Sequence, residues 1–328
     1  MPELRYIQAV NQALDWALRN RDDTLCFGED VAIPGGPFGA TKGLYERYGA
    51  DRIFDTPISE SGFLGMALGA AMTGLRPIAE IMYADFLFVA MDQVVNQIAN
   101  VRYASNGRLA APLVIRLQQG WNDGSCAQHS HSVEAYLAHT PGIRVAVPST
   151  PDDAYQMLRT AVVSDDPVVV VESRALYGTA GAVRTHADVE PMGGSVVRHH
   201  GNDLTLVSWG RGVSLCLAAA EELASDGVNA DVVDLRWLSP LDLGPVVESV
   251  GHTGRCLVVH EANLTGGFGA EVAAQVSEGA WAALVAPVGR VGLPDLPMPA
   301  APALQREAAP SAASIADAAR RLVDRASR

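Results

Sequence analysis

The sequence lacks the features that mark secreted, membrane-bound and nucleic-acid-binding proteins. It has no apolar run long enough to span a bilayer, and residues 1–6 contain no signal-peptide core. Its four cysteines are scattered without paired or metal-binding spacing, which indicates buried thiols in a reducing compartment. The net charge of −13 argues against a general nucleic-acid surface and against binding to anionic membranes. We therefore expect a cytoplasmic protein that binds neither nucleic acid nor membrane.

Apolar runs and helical periods alternate along the chain, which points to one fold class. The 328 residues are 48% hydrophobic and 19% charged, a size and composition typical of two well-packed domains. Short apolar strands bounded by turn residues alternate with helical segments, among them 61–74 and 88–104. This alternation predicts an α/β fold with two parallel-sheet domains, residues 1–180 and 204–328, joined by a linker at 181–203.

The segment from Asp55 to Glu60 carries the most information about chemistry. It reads as a strand that turns at Pro57 and leads into a helix rich in small residues, which starts at about Glu60. A carboxylate in the first turn of a helix lies at the positive end of the helix dipole. If Ile58 and its neighbours enclose it, Glu60 is poised to hold a proton on a ligand ring. The same dipole also favours a glutamate with no further role, and spacing alone leaves both interpretations open.

Several ordered motifs surround this segment. They are Phe27-Gly28-Glu29-Asp30-Val31, Arg52 to Glu60, Gly69 to Pro77, Asp92-Gln93-Val94-Val95-Asn96, Gln128-His129-Ser130, Ala138 to Gly142 and Pro148 to Pro151. In this order they resemble the β subunit of the thiamine-diphosphate-dependent 2-oxo acid dehydrogenases of the pyruvate, branched-chain and acetoin type, which belong to the transketolase-like superfamily. The resemblance implies a thiamine-diphosphate pyrimidine-binding domain followed by a transketolase C-terminal-like domain.

The resemblance also implies roles for individual residues. Glu60 would bond the aminopyrimidine nitrogen of thiamine diphosphate, a cofactor whose electronics the protein tunes. Phe86 would lie against the pyrimidine, with Ile58 and Met82 lining the same pocket. His129 would be the active-site histidine that protonates intermediates and faces the incoming lipoyl group. Without the resemblance, Phe86 and Met82 would read as plain core residues.

Part of the family's cofactor site is missing from this sequence. The segment that binds magnesium and diphosphate in the family has no counterpart here, so the resemblance places those ligands on a partner α subunit in an α2β2 heterotetramer. An enzyme of this kind decarboxylates pyruvate or a branched-chain 2-oxo acid and passes the acyl unit to a lipoyl acyltransferase or an acyl carrier protein. A potassium-binding loop is also implied, at Ala161, Val162, Ser164 and Asp166, with Ser164 in place of the family's usual acidic residue.

The sequence departs from the family at the substrate entrance. Gln118 opens a segment where many members have proline and a glycine-rich loop, and His131 stands where glutamine is usual. Added polar groups suit a polyhydroxylated donor, because each buried hydroxyl needs a partner. An alternative is therefore a two-component transketolase-like enzyme that transfers a two-carbon ketol unit from a ketose phosphate to a carrier protein or acceptor in specialised metabolism. A further alternative is a non-catalytic scaffold subunit, against which Glu60 argues.

Overall fold

The structure is a computed structural model that describes residues 1–325. By its internal contacts the chain divides into two units, one made of Met1–Gln119 and Tyr136–Met192, the other of Gly120–Ala135 and the chain from Gly193 onward. The predicted α/β class is confirmed. The predicted domain limits, 1–180 and 204–328, stay predictions, and the last three residues of the second lie outside the described residues.

The first part of the chain alternates strands and helices. Its strands are β1 (Glu3–Arg5), β2 (Thr24–Gly28), β3 (Ile53–Asp55), β4 (Arg76–Ile81), β5 (Val114–Gln119), β6 (Arg144–Ala146), β7 (Val168–Ser173) and β8 (Ala180–Ala182). Its α-helices are α1 (Tyr6–Asn20), α2 (Leu44–Tyr48), α3 (Glu60–Met72), α4 (Val101–Ala104), α5 (Glu134–Ala138) and α6 (Pro151–Val163).

Six strands of the first unit lie side by side in the order β6, β7, β5, β4, β2 and β3, and every pair is parallel. Every residue of β5 and β7 is buried, as expected for a parallel sheet covered on both faces. The chain passes from β2 to its neighbour β3 on one side and then to β4 on the other side. The carboxyl ends of these three strands therefore flank a point where the strand order reverses, the usual place for a ligand in open α/β sheets.

The predicted continuous helix at 88–104 is wrong in detail. The segment divides into a 3-10 helix (Ala84–Ala90), a π-helix (Gln93–Ile98) and α4. The Asn100 side chain donates to the backbone oxygen of Val95 at 2.9 Å, so it competes with the backbone amides for a helical acceptor. Short π segments inside helices are common at functional sites.

The second unit contains a five-stranded sheet of its own. The remaining strands are β9 (Val196–His199), β10 (Leu204–Ser208), β11 (Ala230–Asp234), β12 (Trp237–Ser239), β13 (Cys256–Asn263) and β14 (Gly289–Leu293). The helices are α7 (Arg211–Ala224), α8 (Gly244–Thr253), α9 (Gly269–Gly279), α10 (Pro302–Ala308) and α11 (Ala312–Arg325). The sheet order is β14, β13, β10, β11 and β9, with only β9 antiparallel to its neighbour.

One buried apolar cluster holds this sheet to α7 and α11. It includes Leu206 and Val232 from the strands, Leu223 from α7 and Ile315 from α11. Across residues 1–325, none of the helices has both the length and the apolarity needed to cross a membrane.

Candidate active site

Glu60 is the first residue of α3, just after the turn that follows β3. It is only 6% exposed, yet within residues 1–325 its carboxylate accepts no hydrogen bond. The preceding residue, Ser59, does not cap the helix with its hydroxyl. The carboxylate therefore lies at the positive end of the helix and keeps its acceptor capacity for a ligand.

Ile58 does not enclose Glu60 within this chain, contrary to one of the two interpretations above. Its side chain is 86% exposed, whereas Phe63 and Leu64 on the other side of Glu60 are buried. The turn between β3 and α3 presents Ile58 outward. Its role in lining a pocket stays a prediction.

A second buried carboxylate, Glu29, stands near Glu60 and was assigned no role from the sequence. It follows β2, is 7% exposed, and its Oε1 has no hydrogen-bond partner. Loss of hydration raises the pKa of Glu29, and the negative charge of Glu60 raises it further. The quoted motif Phe27-Gly28-Glu29-Asp30-Val31 was the available signal, but nothing in the motif says which acid is buried.

Two hydrogen bonds donated by backbone amides bring these acids together. The amide of Thr56 donates to the carbonyl oxygen of Gly28 at 2.9 Å, and the amide of Ala32 donates to Asp55 Oδ1 at 2.7 Å. They join the segment after β2 to the segment after β3. The result is a pair of acids with unused acceptor atoms, which suits a ring that carries N–H donors.

An aromatic wall follows β4. Phe86 meets Tyr83 edge to face at 5.7 Å between ring centroids, and Tyr83 meets Phe38 in the same way at 5.7 Å. The guanidinium of Arg174 lies 4.7 Å from the Tyr83 ring centroid, a cation–π contact. Phe86 and Met82 are half-buried in this turn, so both retain surface for a ligand. Phe38 and Arg174 were missed because they are far away in sequence.

A buried charge network links strands β4, β5 and β7 next to this site. Arg116 in β5 donates from Nη1 to Glu80 in β4 at 2.6 Å, and from Nε and Nη2 to Glu172 in β7 at 2.7 and 2.9 Å. All three side chains are at most 1% exposed. Tyr177 also donates to Glu172, at 2.7 Å. The network ties three neighbouring strands together below the site.

Gln118 belongs to this network. Its Nε2 lies 3.4 Å from Glu80 Oε1, and its own Oε1 is buried without a hydrogen-bond partner. The residue is 1% exposed, so its amide does not reach an open surface of the first unit. Its predicted contact with substrate stays a prediction.

His129 and His131 lie in the segment Gly120–Ala135, which belongs to the second unit. His129 ends a short 3-10 turn, Ala127–His129, and is half-buried, whereas His131 is exposed. The structure thus gathers Glu60, Met82 and Phe86 within the first unit. The roles of both histidines stay predictions.

The predicted potassium loop is bonded to arginines. Arg76 Nη1 donates to the carbonyl oxygens of Val162 and Ser164 at 3.2 and 2.6 Å. The Ala161 oxygen accepts from the Ser164 amide, and the Asp166 carboxylate pairs with two further guanidinium groups, those of Arg102 and Arg144. These oxygens already have donors, and the predicted potassium site stays a prediction. Within residues 1–325, no group of three or more His, Cys, Asp or Glu side chains could hold a metal ion.

The fold and this edge of the sheet define a class of proteins. Two α/β units, the first built on a parallel sheet with a buried carboxylate at the start of α3, agree with a protein of the transketolase type. Two family models agree: "Transketolase, pyrimidine binding domain" matches residues 3–179, and "Transketolase, C-terminal domain" matches residues 193–315.

Curated relatives narrow the class to one kind of subunit. The chain is 42% identical over 300 residues to the pyruvate dehydrogenase E1 component subunit beta of Bacillus subtilis, covering 91% of this chain and 92% of that one. It is 41% identical to the 2-oxoisovalerate dehydrogenase subunit beta of the same organism, covering 93% and 94%. It is also 41% identical to the acetoin:2,6-dichlorophenolindophenol oxidoreductase subunit beta of Cupriavidus necator, covering 95% of each chain.

The chain therefore belongs to the family of β subunits of the thiamine-diphosphate-dependent 2-oxo acid dehydrogenases. Among solved structures, a split gene transketolase matches with a TM-score of 0.79 at 23% identity, covering 98% of both chains. A transketolase from Pichia stipitis matches with a TM-score of 0.72 at 14% identity, covering 99% of this chain and 46% of that one. Both likenesses show the fold alone.

Proposed function

We propose that this chain is the β subunit of a heteromeric enzyme that decarboxylates a 2-oxo acid on thiamine diphosphate and transfers the acyl unit to a lipoyl carrier. The buried Glu60 carboxylate, which accepts no hydrogen bond within the described chain, is the observation that supports it best. The 41–42% identity to three β subunits agrees with it. An exposed carboxylate or one already paired would give no such support.

The residues of the candidate site have the chemistry that the cofactor's aminopyrimidine ring needs. When bound, the cofactor would stabilise the electron pair that loss of carbon dioxide leaves on the donor's carbonyl carbon. Glu60 would accept a hydrogen bond from the ring, and the half-buried Phe86 and Met82 would hold the ring faces. Glu29, with its raised pKa, holds a proton more readily than an ordinary glutamate, so the two acids need not both be charged.

The partner we propose is an α subunit that carries the magnesium and diphosphate ligands, in an α2β2 assembly. Large apolar side chains around the site agree with such a partner: Ile58, Met66 and Val89 are 86%, 43% and 64% exposed. They lie in the turn before α3, on α3 and in the Ala84–Ala90 segment, against which α3 packs. Exposed apolar groups of this kind mark protein interfaces. The cytoplasm, the lipoyl acyltransferase and the acyl carrier protein stay predictions.

The test is a donor screen with the complete enzyme. The chain is purified with its α partner and given thiamine diphosphate and magnesium, and consumption of pyruvate, branched 2-oxo acids and a ketose phosphate is followed in parallel. We expect turnover of a 2-oxo acid with release of carbon dioxide. Turnover of the ketose phosphate alone would replace this proposal with the transketolase alternative.

Two glutamate substitutions, one in the candidate site and one outside it, test the role of Glu60. Glu60→Gln keeps the shape of the side chain and removes its charge, and should lower kcat by about 10²-fold or more. Glu46→Gln, at an exposed position in α2, is the matched control and should leave turnover unchanged. Full activity of Glu60→Gln would favour the scaffold alternative.

A further inference from the structure

A hydrogen bond at Glu134 holds the C-terminal end of the segment Gly120–Ala135, which carries His129, to the rest of the second unit. The indole Nε1 of Trp209 lies 3.3 Å from Glu134 Oε1, in donor geometry. Glu134 is fully buried and Trp209 is 3% exposed. This hydrogen bond joins two buried side chains, so it fixes the chain five residues after His129.

Trp209 is itself held in a defined orientation. Its ring stacks on His260 with 5.6 Å between centroids and an interplanar angle of 11°, and Phe268 meets it edge to face at 5.9 Å. Burial lowers the pKa of His260 to about 4, so this imidazole is neutral at pH 7. A neutral ring stacks on the indole without adding a buried charge.

The beginning of the segment is fastened as well. Trp121 packs in an apolar cluster with Leu293, Met298 and Ala309, and the guanidinium of Arg211 lies 4.6 Å from the Trp121 ring centroid. Three residues further on, the amide of Gly124 donates to Gln305 Oε1 at 3.0 Å.

Between these two ends a hydroxyl chain shapes the turn that contains His129. Ser125 Oγ lies 2.7 Å from Ser130 Oγ, which donates to the Cys126 carbonyl oxygen at 2.6 Å. Cys126 has a φ of +55°, an uncommon conformation for a residue with a side chain. Such a conformation persists only where the surroundings determine it, and the contacts just described supply that constraint.

We propose that Trp209 and Glu134 are positioning residues for His129, so that the C-terminal unit sets the geometry of the histidine segment. This inference rests on the proposed function and on the role predicted for His129. Neither Trp209 nor Glu134 needs to touch substrate. Their action is to keep His129 at a fixed place by holding the chain that follows it.

The test uses the complete α and β complex and the donor that it turns over. Trp209→Phe removes the N–H donor but keeps a ring that can stack on His260. We expect kcat for acylation of a lipoyl domain to fall about tenfold at unchanged KM for the donor, within the 10²-fold that a misplacement of about 1 Å can cost. Trp281→Phe, at a position 77% exposed, is the matched control and should leave kcat unchanged. Glu134→Gln, which keeps an acceptor oxygen for the indole, should lose less activity than Glu134→Met.

Two further measurements separate positioning from general damage. In a His129→Ala background, Trp209→Phe should cause no additional loss, because its effect passes through His129. Hydrogen exchange of residues 122–132, followed by mass spectrometry, should become faster in Trp209→Phe and not in Trp281→Phe. An equal loss in both backgrounds, or an unchanged kcat in Trp209→Phe, would overturn the proposal.

Failure of the proposed function gives a different pattern. If His129→Ala turns over normally, the role of His129 is wrong, and hydrogen exchange alone then decides whether Trp209 holds the segment. Faster exchange in Trp209→Phe would support the structural part of the inference, and unchanged exchange would refute it.

Discussion

Arg116 offers the sharpest test of how the candidate site is supported. Its side chain is 1% exposed and forms ion pairs with two carboxylates, Glu80 and Glu172, which are equally buried. Arg116→Met keeps an unbranched apolar stem but removes the guanidinium, so both acids lose their cation. Removing one partner of a buried ion pair costs about 3–5 kcal/mol, because the remaining charge has lost both water and its counter-charge.

This cost translates into a measurable change in melting temperature. For a unit of this size, 1 kcal/mol corresponds to roughly 2–4 °C, so Tm should fall by on the order of 10 °C. The matched control is Arg184→Met in the same unit, where the arginine is 45% exposed and pairs with Asp152 and Glu190. An exposed pair contributes about 0.2–1 kcal/mol, so the control should shift Tm by a few degrees at most. Calorimetry of the assembled complex measures both.

The pH dependence follows from the direction of the Glu80 pKa. Burial raises the pKa of Glu80, while the charge of Arg116 opposes that rise. Without Arg116 the pKa of Glu80 rises further, and the folded state then binds its proton more tightly than the unfolded state. The stability deficit of Arg116→Met is therefore largest at about pH 8 and shrinks as pH falls toward about 5. A deficit no larger than that of Arg184→Met, or one that grows as pH falls, would refute the reasoning.

Three further outcomes are expected. Gly142→Ala should strongly destabilise the first unit in thermal unfolding, because a Cβ there would lie 2.1 Å from the Ala99 carbonyl oxygen. Its control is Gly107→Ala, which also has a positive φ but lies in open space, and which should cost only about 1–2 kcal/mol. A disulfide reagent at pH 7 should label only Cys126 in the native chain, because burial raises the thiol pKa to about 12 at Cys26, Cys216 and Cys256. Labelling that persists in the Cys126→Ser variant would contradict this prediction. Replacing potassium by sodium should leave Tm unchanged, because arginines already bond the oxygens of the 161–166 loop, whereas an ion present at 100 times its Kd would add about 2.7 kcal/mol.

Local sequence signals predict the strands and the position of Glu60 well. The runs that became β4, β5 and β7 are parallel strands that are buried throughout except at Arg76, the first residue of β4. Buried parallel strands of this kind are expected to be rich in apolar residues, and these runs are. The start of α3 was equally visible, because small residues and a first-turn acid follow a proline turn.

Strand register was not visible in the sequence. Glu80, Arg116 and Glu172 come from three separate strands and meet only because Glu80 lies opposite Arg116 in one ladder and β5 pairs with β7 in the next. The burial of Glu29 depends in the same way on the contacts that join the segments after β2 and β3. Composition and periodicity do not reveal such long-range contacts. From the sequence alone, a charged residue in a strand is therefore predicted to be exposed.

We expect the choice of donor to depend on a small part of this chain. Its identities to β subunits named for pyruvate, 2-oxoisovalerate and acetoin dehydrogenation differ by only one percentage point, from 41% to 42%, so overall similarity does not separate the three donors. The acids and aromatic turn of the first unit would act on the cofactor, whereas the polar segment from Gln118 to His131 is predicted to differ from the family at the substrate entrance. Replacing residues 120–131 by the segment of the 2-oxoisovalerate relative should therefore change the ratio of kcat/KM between donors and leave the affinity for thiamine diphosphate unchanged. Glu60→Gln should do the opposite, lowering turnover of every donor by a similar factor. If the exchanged segment altered cofactor affinity and left the donor ratio unchanged, donor choice would have to reside on the α subunit.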